Sequence, residues 1–276
     1  MRAIEIKLTE ELSRFVNSKP VDSADAYPVN TYRQLVKQVA KLAYLNKDHL
    51  LFFRGQGKDY RSSKADASTF YPAIYRGDYL TKKELHDRFD ILNQAARRLK
   101  DLFSVNHVQG YKELKMKKYI QWSVLQHYSV CSTPLLDFTH SLRVACSFAR
   151  LNANNKEVYV FVFGLPYITN RISINSEHDI VNVRLLSICP PDALRPYFQD
   201  GYLAGTADIT TEYESKTELD FKNRLIAKFR MPTRKKFWGR GFSSIPYSVL
   251  YPRGDDVGKL CVQIKNHLEK ELQPGQ

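Results

Sequence analysis

The sequence predicts an α+β fold, with helices drawn mainly from the N-terminal half and strands from the C-terminal half. Two observations carry this reading. Apolar residues recur at three- to four-residue spacing through the first part of the chain, whereas short continuous apolar runs dominate the second. The two patterns are not interleaved, as a parallel α/β sheet would require.

In chain order, residues 1–20 read as a short amphipathic lead. Val21 to Asn30, with Pro28 and several Asp, Ser and Ala, reads as a linker. Residues 1–29 are therefore expected to stand outside a single main domain at 30–276 that closes with a C-terminal helix. Thr31 to Asn46 places Leu35, Val39 and Leu42 on one helical face, with Asn30 or Thr31 as the cap. His49 to Phe53 is an apolar run suited to a buried strand ending at Arg54, and residues 58–69 read as an exposed polar loop. Thr81 to Leu102 repeats Leu85, Phe89, Leu92, Ala96 and Leu99 at helical spacing; Met116 to Gln126 and Ser141 to Leu151 suit further helices. Glu157 to Phe163 is the strongest strand, followed by Ile172 to Asn175, Val183 to Ile188 and Leu203 to Thr210, and then a helix from about Val257 to Leu272.

The chain carries 42 Lys and Arg against 29 Asp and Glu, a net charge of +13. That excess favours a polyanionic partner, such as a nucleotide or a nucleic acid, although a generic basic surface gives the same total. No apolar run approaches the length of a membrane span, and the N-terminus is mixed and charged, so a cytoplasmic protein without a membrane partner is the expectation. The four cysteines lack Cys-x-x-Cys spacing and read as reduced thiols; the scattered histidines give no metal-ligand spacing, so no metal is expected. Nothing in the sequence fixes an oligomeric state.

The densest chemistry lies in Gln126-His127-Tyr128 and Thr133-Pro134-Leu135-Leu136-Asp137-Phe138-Thr139, followed by the small-residue stretch Ala145 to Ala149. A plain connection needs no such concentration of His, Tyr, Thr and Asp. Together with Phe53-Arg54-Gly55-Gln56, Tyr71 to Arg76 and Leu194 to Tyr202, this stretch resembles the FRG domain family, named for a Phe-Arg-Gly motif, over roughly residues 30–265. Two departures stand out. Ser129-Val130-Cys131-Ser132-Thr133 replaces the family's usual Gly-Leu-Pro-Thr, and Phe138 stands where a Trp is common.

A weaker resemblance, of order and local pattern, links the chain to ADP-ribosyltransferases, which implies a curved split sheet and NAD or a related nucleotide as cofactor. In that frame Arg54 clamps the pyrophosphate with a planar guanidinium. Gly55 permits close approach of the backbone, and Tyr128, Thr133 and Thr139 line the nucleotide site. Gln199 takes the place of the usual catalytic Glu, with Asp137 as the nearest carboxylate able to substitute and His127 as a further catalytic candidate. Gln199 is neutral and offers hydrogen bonds only, so the resemblance implies ADP-ribosyl transfer to a macromolecular acceptor, NAD hydrolysis, or nucleotide binding alone. A toxin or phage-conflict effector is the setting such enzymes suggest. The plainer readings stand beside these: a structural His127, a paired Asp137 bridging to Arg54 or Arg143, a turn at Thr133, a ladder-side Gln199 on a strand.

A second function class comes from Lys222 to Arg240, which is rich in Lys and Arg, interleaved with Phe221, Phe229, Phe237 and Trp238, and free of acidic residues. Arg234, Lys235, Lys236 and Arg240 suit a nucleic-acid or polyanion surface on a non-enzymatic module. The alternative is an amphipathic helix with its aromatic residues in the core.

Overall fold

Strand β1 (Tyr27–Pro28) opens the sheet of the computed structural model, which describes all residues except 78, 152, 208–212, 214 and 273–276. It follows helix α1 (Glu10–Val16) and precedes α2 (Tyr32–Leu45), β2 (Leu50–Gln56), α3 (Lys82–Val105), α4 (Tyr111–Met116), α5 (Lys118–His127), β3 (Leu136–Thr139), α6 (Leu142–Arg150) and β4 (Glu157–Leu165). Then come β5 (Ile172–Asn175), β6 (Ile180–Arg184), α7 (Leu185–Ile188), α8 (Arg195–Gln199), β7 (Gly201–Thr206), β8 (Leu225–Pro232), α9 (Tyr247–Leu250) and α10 (Asp256–Leu272). The class is α+β with mixed strand pairing.

The chain folds as two units. The first comprises Met1–Phe70, Phe138–Tyr167 and Asp220–Val249; the second comprises Tyr71–Asp137, Ile168–Leu219 and Leu250–Gln276. In the first, the strand order is β1-β8-β4-β2-β3, with β1 parallel to β8 and the other pairs antiparallel. Its core joins Leu35, Val39 and Leu42 of α2 to Val158, Val160 and Val162 of β4 and Phe229 and Met231 of β8. In the second, β5, β6 and β7 form an antiparallel meander. Here Leu92, Leu99 and Phe103 of α3 pack with Trp122 and Leu125 of α5 and Ile264 of α10.

The helix starts follow their sequence signals. Thr31 and Thr81 each accept a hydrogen bond from the third helical residue, while Gln34 and Glu84 reach back to the cap, so both long helices open with a capping box. Ser141 caps α6 by accepting from Val144 N.

Several boundaries differ from expectation. Tyr27–Pro28, inside the stretch read as linker, pairs with Phe229 and Arg230. Strand β2 continues past Arg54 to Gln56 because β4 is long enough to pair with it throughout, so Arg54 sits within the strand, opposite Phe161. The run Val183 to Ile188 splits: β6 ends at Arg184 and Leu185–Ile188 turns helical. Lys222 to Arg240 contains no long helix; β8 occupies its centre, with Ala227, Phe229 and Met231 on one buried face and Lys228 buried on the other. The end of the strand expected over 203–210 lies outside the described residues.

Candidate functional site

A connected set of polar side chains lies in the second unit, where α5 runs into β3. His127 is the last residue of α5 and Asp137 the second of β3. Between them the chain turns at Ser129, whose positive φ of 55° reverses its direction. This brings the two ends of the motif together. Gln126 Nε2 donates to Asp137 Oδ2 at 2.6 Å. Thr133 Oγ1 donates to Gln126 Oε1 at 2.5 Å and accepts from Leu135 N at 3.2 Å. The threonine hydroxyl thereby fixes which end of the Gln126 amide faces Asp137, and the amide fixes the carboxylate.

The second carboxylate oxygen, Asp137 Oδ1, lies 3.5 Å from Nδ1 of His127. The His127 side chain is only 4 % exposed, whereas that of Asp137 is 39 % exposed. Nε2 of His127 is buried and has no hydrogen-bond partner among the described residues. The ring is wedged against Gly201, where an added Cβ would meet Cε1 at 3.2 Å. A buried imidazole on one side and a donor amide on the other thus hold a carboxylate that still faces outward.

A second layer supports this arrangement. Arg195 Nη1 donates to the His127 carbonyl at 2.9 Å, and its guanidinium lies over the rings of Tyr128 and Tyr251, 4.6 and 4.8 Å from their centres. Asp255 accepts from Tyr128 Oη at 2.7 Å, Arg195 N at 3.0 Å and Gly258 N at 2.9 Å. Burial and the Asp255 carboxylate both push the Tyr128 phenol far above its ordinary value. Tyr128 is therefore anchored through its hydroxyl.

Gln199 differs most from its expected place. It ends the short helix α8, not a strand, and Nε2 donates to the Leu250 carbonyl at 2.8 Å. Asp200 follows with φ 43°, and only then does β7 begin. The helix forms because Pro196 occupies its first turn, where a missing N–H costs nothing.

Arg54, Gly55 and Thr139 belong to the first unit. Thr139 pairs with Phe53, and its hydroxyl accepts from Ser141 N at 3.0 Å at the entry to α6. Gly55 has a packing reason of its own: a Cβ there would meet the Ala145 carbonyl oxygen at 1.8 Å and Ala149 N at 2.8 Å. The close approach that glycine permits is thus to α6, whose small residues Ala145 and Ala149 face the strand. Arg143 is engaged by Ser243, with Nε donating to its carbonyl at 2.8 Å.

Residues 49–158 match the family model of the FRG domain. The resemblance to the FRG domain is thus shown for residues 49–158. The match begins just before β2 and ends in β4, so it takes in Arg54-Gly55, the Gln126–Thr139 motif and the Ala145–Ala149 helix. Gln199 and the basic segment fall outside it. No curated protein and no solved structure matches the chain.

The sequence pointed to His127, Thr133 and Asp137 but missed the parts played by Gln126, Arg195, Tyr251 and Asp255. Gln126 stood within the motif and Arg195 within a second family-like segment, so position was the available signal for both. Asp255 is recognisable only once Tyr128 is seen to reach it across the chain. The four cysteines are free; burial pushes the Cys131 thiol up to about 12 and raises the other three as well, which leaves no activated thiolate.

Proposed function

We propose that this protein binds NAD or a related nucleotide and uses Asp137 as its reacting carboxylate, in ADP-ribosyl transfer or NAD hydrolysis. The observation that carries the reading is the state of Asp137: fixed by Gln126 and faced by His127, yet 39 % exposed. NAD supplies a glycosidic bond whose cleavage releases nicotinamide and develops positive charge on the ribose. An oriented anion placed where charge develops needs no reorganisation in the reaction, which is the strongest common source of rate enhancement.

The roles of the other residues follow from their chemistry. Thr133 and Gln126 hold the carboxylate in one orientation. His127 keeps a nitrogen 3.5 Å from Asp137 and backs the carboxylate from its buried side. Independently of Asp137, Arg54 is proposed as a pyrophosphate ligand, because a guanidinium fork matches paired phosphate oxygens. Gln199 gives up the central role that sequence order suggested, since its amide is committed to Leu250. An effector role in a toxin or phage-conflict system suits such an activity.

Calorimetry with NAD tests the reading. Wild type is expected to bind. Arg54→Ala is expected to lose about 1.5–3 kcal/mol of binding free energy, and Arg54→Lys to recover little of it, because an ammonium lacks the fork. Thermal melts control for folding. A wild-type protein that takes up no NAD at millimolar concentration overturns the reading.

A further inference from the structure

We propose that the first unit also carries a binding face for single-stranded nucleic acid, built from Arg234, Lys235, Lys236, Arg240 and the ring of Phe242. The inference rests on how the fold sorts the cations of the acid-free segment Lys222 to Arg240. Half of them are used up internally. Arg224 is fully buried, with Nε donating to the Gly164 carbonyl at 2.8 Å. Lys228 is buried on Asp59 and Ser68. Lys222 pairs with Asp22 at 3.2 Å and Arg230 with Glu157 at 2.8 Å. Arg234, Lys235, Lys236 and Arg240 remain, all exposed and without an ion pair among the described residues.

These four sit on a stiff support. Lys235–Trp238 is a single 3-10 turn whose other two residues, Phe237 and Trp238, are buried against Tyr32 of α2, with ring centres 6.3 and 5.1 Å away. Arg150 braces the turn from α6: its guanidinium lies over the Phe237 and Trp238 rings and donates to the carbonyls of Pro232 and Thr233. Beyond the turn, Gly239 and Gly241 adopt φ of 69° and 86°, a left-handed backbone on either side of Arg240. The chain then presents Phe242, 53 % exposed and held by Tyr32 at 5.1 Å between ring centres.

Cations held without counter-charges attract a phosphate backbone. An anchored, half-exposed ring beside them offers a surface on which an unpaired base stacks. Bases already stacked within a duplex have no use for that ring, which is why the chemistry favours a single strand over a duplex.

Fluorescence anisotropy of the full chain with a short dye-labelled oligo(dT), and with a duplex of the same length, tests this. Wild type is expected to bind the single strand. The triple variant Arg234→Ala/Lys235→Ala/Lys236→Ala should bind more weakly and reduce the slope of log affinity against log salt by about 2, from roughly 0.7 for each phosphate that the variant no longer neutralises. Phe242→Ala should weaken single-strand binding about fivefold or more, leaving the salt slope and duplex binding unchanged. The proposal is overturned if wild type fails to bind the oligonucleotide at about 50 mM salt. It is equally overturned if the triple variant behaves as wild type, if Phe242→Ala leaves single-strand binding intact, or if only phosphatidylserine vesicles are retained.

Discussion

Lys228 in the first unit and Asp137 in the second are both charged side chains set among polar partners, but they differ in how far solvent reaches them. Nζ of Lys228 has three donors, and each is spent: the Asp22 carbonyl at 3.0 Å, Asp59 Oδ2 at 3.1 Å and Ser68 Oγ at 2.8 Å. Its side chain is 1 % exposed and that of Asp59 is 9 % exposed. The network ties β8 to the segments around residues 22, 59 and 68, and leaves the lysine no donor to offer a ligand. Asp137 is oriented by Gln126 and backed by the His127 imidazole, and its side chain is 39 % exposed. A closed polar cluster holds a fold together; a cluster with one charge oriented and reachable is equipped for chemistry.

The comparison breaks first, if it is wrong, on stability. Lys228→Ala leaves the nearly buried Asp59 without its main counter-charge and should destabilise the first unit by about 3–5 kcal/mol, read as a fall in the thermal unfolding midpoint. Asp137→Asn should cost less than about 1 kcal/mol. Equal losses would show that both clusters are architectural.

Activity reverses the order. Nicotinamide release from NAD by Asp137→Asn should drop about a hundredfold or more, the scale of losing one preorganised electrostatic partner. A stably folded variant of full activity would remove Asp137 from the reaction.

A smaller effect separates orientation from charge. Thr133→Val deletes the hydroxyl that fixes the Gln126 amide, and about tenfold in rate is expected from a net hydrogen bond of that kind. Thr133→Ser should restore it. If valine and serine behave alike, the relay from Leu135 N to Asp137 has no catalytic meaning.

The smallest effect concerns Lys228 and pH. Burial holds its ammonium below the ordinary lysine value of 10.5, although Asp59 acts in the opposite direction. A base whose folded pKa is lowered sheds its proton in the folded state while the unfolded chain keeps it, so folding gains stability with rising pH across that window. Relative to Lys228→Met, wild type should therefore gain as pH climbs toward 10.5, measured by paired urea titrations. A narrowing gap would mean that attraction to Asp59 outweighs burial.

Much of this was legible in the sequence. The long helices were set by cap residues and apolar spacing, and β4 by an uninterrupted Val and aromatic run, because local signals sufficed. The crowding of His127, Thr133 and Asp137 into one short stretch marked the candidate site. What escaped was set by distant partners. Lys228 lies on a strand whose alternate residues, Leu225, Ala227, Phe229 and Met231, are apolar, yet nothing local shows that Asp22, Asp59 and Ser68 will converge to bury it. Arg54 was expected at a strand end because the apolar run stops there; the length of β4 decides where β2 ends. Gln199 was placed on a strand by analogy of order, whereas Pro196 and the left-handed Asp200 make it the last residue of a helical turn.

The glycine of the Phe-Arg-Gly motif behaves as a gauge for the depth at which α6 lies on the sheet. Ordinary contact for a methyl group begins near 3.4 Å, and the space at Gly55 is 1.8 Å, so even alanine there would have to lift α6 by roughly 3.4 − 1.8 = 1.6 Å. Lifting that helix drags its cap, Ser141, away from Thr139 and carries the end of β3 with it. One absent methyl group thus sets the level of a helix, a cap and a strand end together, whether or not a ligand ever touches the glycine.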